Sequence, residues 1–272
     1  MTDAGRPDTA VRIAAAGFDW LAPDWPVPIA AGAFATTRNG GASLAPRASL
    51  NLAAHCGDDP AAVALNRRRV GTFLPGPPVW LEQVHGCEVV RLDASNVDAA
   101  RRTPPVADAA VTTLPNVPCA VLTADCLPVL FADREGAGVG AAHAGWRGLA
   151  AGVLEATVAA LDGLGVPPGR LVAWLGPAIG PRAFEVGGEV VAAFCDRDPA
   201  AAAAFVAHAG GRWRADLYAL ARRRLAAAGV VAVAGGGHCT FAERDRFFSY
   251  RRERDTGRQA AFVWRAPGGT GV

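Results

Sequence analysis

The chain of 272 residues contains no lysine, so every side chain that is always positively charged is an arginine. With the abundant Ala, Gly and Pro, this composition is typical of a GC-rich genome. The formal net charge of +2 gives no strong field for nucleic acid or an anionic membrane. The arginine triplets at 67–69 and 222–224 lie in predicted helices, where consecutive side chains point in different directions. The sequence therefore predicts neither a nucleic-acid-binding nor a membrane-binding protein.

Long apolar runs and an export signal are also missing. No stretch approaches the ~18 uninterrupted apolar residues of a membrane span. Residues 1–8 are polar, with two acidic residues, and lack the charged-then-apolar order of a secretion signal. The six cysteines include no C-x-x-C pair, which favours reduced thiols over a disulfide framework. We therefore expect a cytoplasmic protein without a membrane partner.

The order of the predicted elements favours one domain of the α/β (α+β) class. No linker of Ser and Gly divides the chain, and no internal repeat is visible. We expect a single domain over residues 13–265 between flexible tails at 1–12 and 266–272. Predicted strands first pair locally and then alternate with helices, which predicts a sandwich with mixed β-sheets flanked by helices rather than a doubly wound parallel sheet.

Apolar periodicity and turn residues give the individual elements. Strands are predicted over 29–36, 79–81, 88–92, 119–123, 129–132, 139–143, 171–175, 230–234 and 260–264. Helices are predicted over 60–70, 149–164, 189–194, 199–207 and 216–228.

Two histidines and a cysteine lie where predicted strands end: His85, Cys126 and His143. Two imidazoles and a thiolate form a three-ligand set for zinc and leave a fourth position for water or substrate. Taken singly, each of these residues is more often part of a core, and their separations match no short zinc motif. A shared metal site is therefore a hypothesis at this point.

The segment Gly145-Trp-Arg-Gly148 follows a predicted strand and precedes a predicted long helix. The backbone N–H groups at the start of such a helix favour an anion. Arg147 adds a rigid cation that suits phosphate or carboxylate. The alternative is a tight packing turn with a surface arginine. Because His143 lies just before this turn, one loop would carry both a metal ligand and an anion-binding residue.

Several motifs together match one family in order along the chain. They are Leu81-Glu-Gln-Val-His-Gly86, Thr123-Ala-Asp-Cys-Leu-Pro128, His143-Ala-Gly-Trp-Arg-Gly148, Trp174-Leu-Gly-Pro-Ala-Ile-Gly-Pro181 with Phe184-Glu-Val-Gly187, and Phe248-Ser-Tyr-Arg-Arg252 with Thr256-Gly-Arg258. Over roughly Phe34 to Trp264 the chain resembles the bacterial purine nucleoside phosphorylase family long labelled as polyphenol oxidase or laccase-domain proteins.

This resemblance implies an activity, a cofactor and partners. One zinc ion would be held by His85, Cys126 and His143 in a catalytic domain, with copper as a less favoured occupant. The implied reactions are phosphorolysis of adenosine, inosine, guanosine and methylthioadenosine, and deamination of adenosine to inosine. The partners would be purine nucleosides and phosphate, and the chain a monomer or small homo-oligomer.

Further residues are assigned as hypotheses within this family. Arg147, with Arg38, would hold phosphate, and Asp125 beside Cys126 would protonate the departing amine unless its side chain points away. The residues predicted to contact the substrate are Arg38, Asn51, His55 and Gln83. The aromatics and arginines of 248–252 fit either a base-stacking lip or core packing.

Two other classes of function stay open. A copper-dependent polyphenol oxidase of the laccase type needs about ten histidines for its copper sites, and the chain has five. A non-catalytic module stabilised by zinc would need a fourth protein ligand, for which His55 or His238 is the candidate. The sequence therefore favours an enzyme acting on purine nucleosides.

Overall fold

The computed structural model describes residues 9–25 and 31–267. The strands in these ranges are β1 (Ala31–Ala35), β2 (Val89–Leu92), β3 (Ala109–Thr112), β4 (Cys119–Thr123), β5 (Leu127–Asp133), β6 (Val139–Ala144), β7 (Leu171–Leu175), β8 (Glu185–Val186), β9 (Phe205–His208), β10 (Arg212–Ala215), β11 (Ala232–Gly235) and β12 (Gln259–Arg265). The α-helices are α1 (Thr9–Ala15), α2 (Pro60–Gly71), α3 (Val97–Arg102), α4 (Trp146–Ala151), α5 (Val153–Asp162), α6 (Gly188–Cys195), α7 (Leu217–Ala227) and α8 (Tyr250–Glu253). Short 3-10 helices cover Pro168–Arg170, Pro199–Ala204 and Ala209–Gly211.

The strands form three sheets. The largest has six strands in the order β11-β7-β5-β6-β3-β2. Its β11–β7 and β2–β3 pairs are parallel and its other pairs antiparallel, so this sheet is mixed. An antiparallel sheet β1-β12-β4 and a smaller sheet β8-β10-β9 complete the set. The predicted α/β (α+β) class with mixed sheets is confirmed.

Alternation along the central strand β5 explains the layers. Leu127, Val129 and Phe131 face the helices and pack in one cluster with Leu154 and Leu161 of α5. The alternate side chains of β5 face the sheet β1-β12-β4, in a cluster that includes Leu130, Ala132, Val121, Ala261 and Val263. Because successive side chains of a strand point to opposite faces, a strand covered on both sides must be apolar throughout. The two sheets therefore pack face to face as a sandwich, and helices cover the outer face of the larger sheet.

Two predicted helices differ from the structure. The helix expected over 149–164 is divided into α4 and α5 by Gly152, whose φ of +108° is a conformation that only glycine adopts without strain. The helix expected over 199–207 was wrong: its first part is a 3-10 helix, and residues 205–208 form β9, paired with β10. The alanine-rich sequence favours a helix locally, but strand pairing overrides that preference.

The first described helix lies partly in the predicted N-terminal tail. Helix α1 covers residues 9–12 of the predicted tail; Ile13 is buried and the Arg12 guanidinium donates to the Thr72 carbonyl at 2.9 Å. Residues 1–8, 26–30 and 268–272, with the expected start of the first strand at Ile29, lie outside the described residues. The extent of the single domain stays a prediction. Within the described ranges, no helix has the length and apolar character needed to cross a membrane.

Candidate metal centre

The side chains of His85, Cys126 and His143 converge at one end of the sandwich. Their ligand atoms all lie within 4.8 Å of one another, and Cys126 Sγ is 3.8 Å from His85 Nε2. His85 is exposed, Cys126 is half-buried and His143 is buried. The group therefore reaches from the interior to solvent. Two imidazole nitrogens and a sulfur in this arrangement could hold a metal ion with one side open.

The buried carboxylate of Asp108 positions both histidines. It accepts hydrogen bonds from the backbone N–H groups of Val84, His85 and Gly86 at 3.2, 3.0 and 2.6 Å. These bonds fix the tight turn in which His85 has a φ of +61°. The same carboxylate lies 2.8 Å from His143 Nδ1. That contact leaves Nε2 of His143 as the nitrogen available to a metal.

Electrostatic interactions with the two histidines favour an ionised Cys126 sulfur. Burial opposes the Cys126 thiolate, but the charge of His143 and hydrogen bonds from both histidines outweigh burial and lower the pKa of Cys126 to about 6. Burial also opposes the His143 cation, and the thiolate with Asp108 raises the pKa of His143 to about 9. A metal ion would therefore meet a preformed thiolate and displace a proton from His143.

The turn between β4 and β5 directs Cys126 towards the histidines because Asp125 is anchored elsewhere. Asp125 has a φ of +89°, and its carboxylate accepts hydrogen bonds from Thr240 Oγ1 at 2.7 Å and the Arg251 N–H at 2.6 Å. The Asp125 side chain thus points away from Cys126. In this orientation it would not serve as the predicted proton donor. Asp125 instead connects the cysteine turn to the start of α8.

Two glycines, Gly145 just before α4 and Gly148 in its first turn, let this segment pass close to the candidate metal ligands. A Cβ at Gly145 would lie 2.9 Å from Cys126 Sγ and 3.1 Å from His85 Cδ2, and one at Gly148 would lie 2.7 Å from the Gly86 carbonyl oxygen. The helix that begins here, α4, has only six residues. The start of a long helix is therefore not available for the expected anion site, and the Arg147 side chain is the remaining candidate for that role.

These segments enclose a cleft of about 350 Å³, a size that suits a small-molecule ligand. Its lining among the described residues is His55, Gln83, His85, Leu122, Thr123, Ala124, Cys126, His143, Arg147, Tyr250 and Arg258. The Arg147 guanidinium stacks on the Trp146 ring at 4.5 Å and has no ion pair or hydrogen bond within the described part of the chain. Arg258 lies 5.8 Å from the ring centroid of Tyr250.

Two of the predicted substrate contacts, His55 and Gln83, line this cleft. Burial and the nearby cations Arg258 and Arg67 lower the pKa of His55, which favours a neutral imidazole. The Gln83 amide donates to the Leu122 carbonyl and accepts from the Leu122 N–H, both at 2.8 Å. Gln83 therefore fixes the end of β4 as well as forming the wall.

The structure does not bring the other two predicted contacts, Arg38 and Asn51, to the cleft wall. The Arg38 guanidinium donates to Glu253 at 2.9 Å and lies 4.8 Å from the Phe248 ring centroid. Asn51 is buried, and its Oδ1 accepts from the Arg258 N–H at 2.9 Å. Both side chains hold neighbouring segments in place.

Sequence reasoning missed two important residues. Asp108 is a single acid directly before the apolar run 109–111, a signal that could have marked it as a buried partner. Arg258 belongs to the Thr256-Gly-Arg258 motif, which carries no signal of its own for the cleft. For residues 248–252, Phe248 is buried as core packing predicts, whereas Tyr250 is 48% exposed and lines the cleft.

Comparison with known proteins identifies the family of this chain. The chain belongs to the family described as multi-copper polyphenol oxidoreductase laccase, whose model matches residues 32–266. A purine nucleoside phosphorylase of Pseudomonas aeruginosa is 58% identical over 90% of this chain and 98% of its own length. Purine nucleoside phosphorylase YfiH of Escherichia coli is 53% identical over 90% of this chain and 98% of its own. The resemblance seen in the sequence is confirmed.

Solved structures show the same fold. A Neisseria meningitidis protein of family DUF152 matches with a TM-score of 0.86 and 50% identity, covering 91% of this chain and 99% of its own. YlmD from Geobacillus stearothermophilus matches with a TM-score of 0.85 and 34% identity, covering 91% of this chain and 96% of its own.

Replacing Asp108 by Asn should weaken metal binding by about 10- to 100-fold, because the amide cannot accept all the hydrogen bonds that orient His85 and His143. Titration of metal-free protein with zinc in competition with a chelator measures this affinity. Asp133→Asn is the control, since it neutralises another buried carboxylate, which pairs with Arg170 at the end of β5 opposite to Cys126. Equal metal affinity of Asp108→Asn and the unmodified protein would contradict the assigned role.

Alkylation of metal-free protein should distinguish Cys126 from Cys56. Only the thiolate reacts, so a pKa of about 6 keeps Cys126 reactive at neutral pH and makes its alkylation rate fall as the pH drops through 6. Burial raises the pKa of Cys56, so its rate should still be rising above neutral pH. Peptide mass spectrometry after timed exposure to iodoacetamide measures both rates in one sample. Identical pH profiles would show that the histidines do not stabilise the Cys126 thiolate.

Proposed function

We propose that this chain is a zinc-dependent purine nucleoside phosphorylase that also deaminates adenosine. The observation that carries the proposal is that His85, Cys126 and His143 share one cleft with the uncompensated cation Arg147. The proposed substrates are adenosine, inosine, guanosine and methylthioadenosine, with inorganic phosphate, and the proposed catalytic domain is 13–265. The relatives named purine nucleoside phosphorylase support the first activity.

The donor set supports zinc as the metal. Imidazole and thiolate together suit zinc, and three protein ligands with an open position are typical of its catalytic sites. When bound, zinc supplies Lewis-acid chemistry at that open position. The chain contributes the geometry: Asp108 holds His143 with Nε2 free, and the Asp125 turn aims Cys126 at the same point. We therefore propose positioning, rather than proton transfer, as the role of Asp125.

Arg147 is the proposed phosphate-binding residue, with Arg258 as a second cation in the cleft. In phosphorolysis a phosphate oxygen forms a bond to the anomeric carbon of ribose while the bond to the purine nitrogen breaks. The products are the free base and ribose 1-phosphate. Holding phosphate against that carbon supplies most of the effect, since an oriented pair of reactants reacts far faster than a free one. A guanidinium without another partner is free to bind phosphate oxygens in pairs.

Other residues that line the cleft suit the nucleoside. The exposed ring of Tyr250 offers a face on which a purine can stack, and Arg258 lies beside it. His55 is favoured as a neutral imidazole that can both donate and accept a hydrogen bond. Arg38 and Asn51 act indirectly in this proposal: Asn51 fixes the backbone of Arg258, and Arg38 holds Glu253 of α8.

The family's descriptive name raises the alternative of a copper oxidase, which the histidine count opposes. All five histidines lie within the described ranges. His208 pairs with Glu185 at 3.5 Å and His238 with Glu243 at 3.0 Å. Among the described residues, His85, Cys126 and His143 form the one group that could hold a metal. A set of three or more coppers needs more ligands than these three. A structural zinc site needs four protein ligands, so a group of three also argues against a purely structural zinc.

Metal analysis and a product assay test the proposed activities together. The purified protein should contain one zinc per chain, convert adenosine with phosphate to adenine and ribose 1-phosphate, and convert adenosine without phosphate to inosine. Cys126→Ala should lose the zinc and both activities, because one of three ligands is removed. Cys195→Ala, which removes a half-buried thiol outside the cleft, is the control. Turnover by metal-free Cys126→Ala would refute the proposal.

Arg147→Ala separates phosphate binding from deamination. We expect the KM for phosphate to rise by about tenfold or more, the loss typical of one charge-assisted contact, while deamination without phosphate changes less than about twofold. Steady-state kinetics of both reactions measure the difference. Arg134→Ala, at an exposed arginine outside the cleft, should change neither. Equal losses in both reactions would mean that Arg147 only shapes the wall.

A further inference from the structure

A second cavity lies where the parallel strands β7 and β11 end. It has a volume of about 790 Å³ and shares no lining residue with the metal cleft. Its walls come from residues 180–183, which follow β7, from 236–243, which follow β11, and from the first turns of α7. The carboxyl ends of neighbouring parallel strands are a common place for ligands in α/β sheets, because the chains that leave them diverge and open a crevice.

One side of this cavity is aromatic and apolar. Phe241 is 37% exposed, and the ring of Tyr218 lies beneath the glycine loop 235–237. The Tyr218 hydroxyl is bound to the His238 carbonyl at 2.6 Å, so the phenol is held in one orientation. A Cβ at Gly236 would lie 3.2 Å from Tyr218 Cδ1. Gly236 therefore packs against the buried Tyr218 ring, and Phe241 is the more accessible aromatic face of the cavity.

The charge left uncompensated in the cavity is positive. The Glu243 carboxylate already accepts hydrogen bonds from the Cys239 N–H at 2.8 Å and from Arg246 at 3.1 Å, and it also contacts His238. Asp216 accepts from the Ala219 N–H at 3.0 Å as the cap of α7. By contrast, the guanidinium of Arg182 has no hydrogen bond or ion pair with any residue in the described ranges.

We propose that this cavity is a second ligand site, which binds a small aromatic anion. The flat ring of the ligand would stack on Phe241, and its carboxylate or phosphate would pair with Arg182. Stacked rings with an offset geometry and a guanidinium that grips two oxygens are both favourable in a site partly removed from water. This site is independent of the function proposed for the metal cleft.

Isothermal titration of the metal-loaded full chain tests the site with three probes: 2-naphthoate, 1-naphthyl phosphate and the uncharged 2-naphthylmethanol. We expect saturable binding, with one site per chain, of at least one anion and much weaker binding of the alcohol. Binding of naphthoate alone identifies a carboxylate ligand, and binding of naphthyl phosphate alone a phosphate ligand. No saturable binding of either anion, or equal binding of the alcohol, overturns the proposal.

Three variants locate the binding. Arg182→Ala should weaken anion binding by about tenfold or more. Gly237→Phe should abolish it by filling the cavity, because a Cβ there has no neighbour within 4 Å and the ring has room to enter. Arg147→Ala should leave binding within about twofold of the unmodified protein. Binding that depends on Arg147 and not on Arg182 belongs to the metal cleft and refutes the second site. Arg182 is exposed, so its substitution preserves the fold even if Gly237→Phe does not.

Discussion

A single buried carboxylate, that of Asp108, is the interaction on which the metal centre depends. Burying a charge is unfavourable unless hydrogen bonds replace the lost water. Here three backbone N–H groups and one imidazole do so, and together they hold the pKa of Asp108 below its usual range despite burial. Since these donors belong to the His85 turn and to His143, satisfying the carboxylate also fixes both imidazoles.

A second carboxylate, that of Asp125, positions the cysteine of the site. Asp125 binds Thr240 and the backbone of Arg251, and so holds the turn in which Cys126 faces the histidines. Gly145 completes the arrangement by leaving space beside the sulfur. Two of the candidate metal ligands, His85 and Cys126, thus lie in irregular turns and the third, His143, near the end of β6, while the sheets behind them supply rigidity. Precise sites are commonly built in this way, with reactive loops on a packed scaffold.

The sequence allowed much of this to be predicted, and the failures have physical reasons. The fold class follows from the order of predicted strands and helices, which is a local property. Residue types at strand ends give the convergence of His85, Cys126 and His143 only as a hypothesis, and the family resemblance implies the full set. The direction of Asp125 does not follow from local properties, because its positive φ is imposed by partners more than a hundred residues away in the chain. Arg38 is likewise engaged by the distant Glu253. The direction of a side chain at a turn depends on such long-range contacts. In a regular strand the side chains alternate between the two faces, so their directions can be predicted from the sequence.

The three metal ligands reside on the turn before β2, the turn between β4 and β5, and the end of β6. In an unfolded chain these segments are far apart, so high-affinity coordination would exist only in the native state. Mass action would then add the free energy of coordination to that of folding. The cell's supply of free metal would accordingly set how long the protein survives proteolysis, and scavenging of the ion would shorten its lifetime even without substrate.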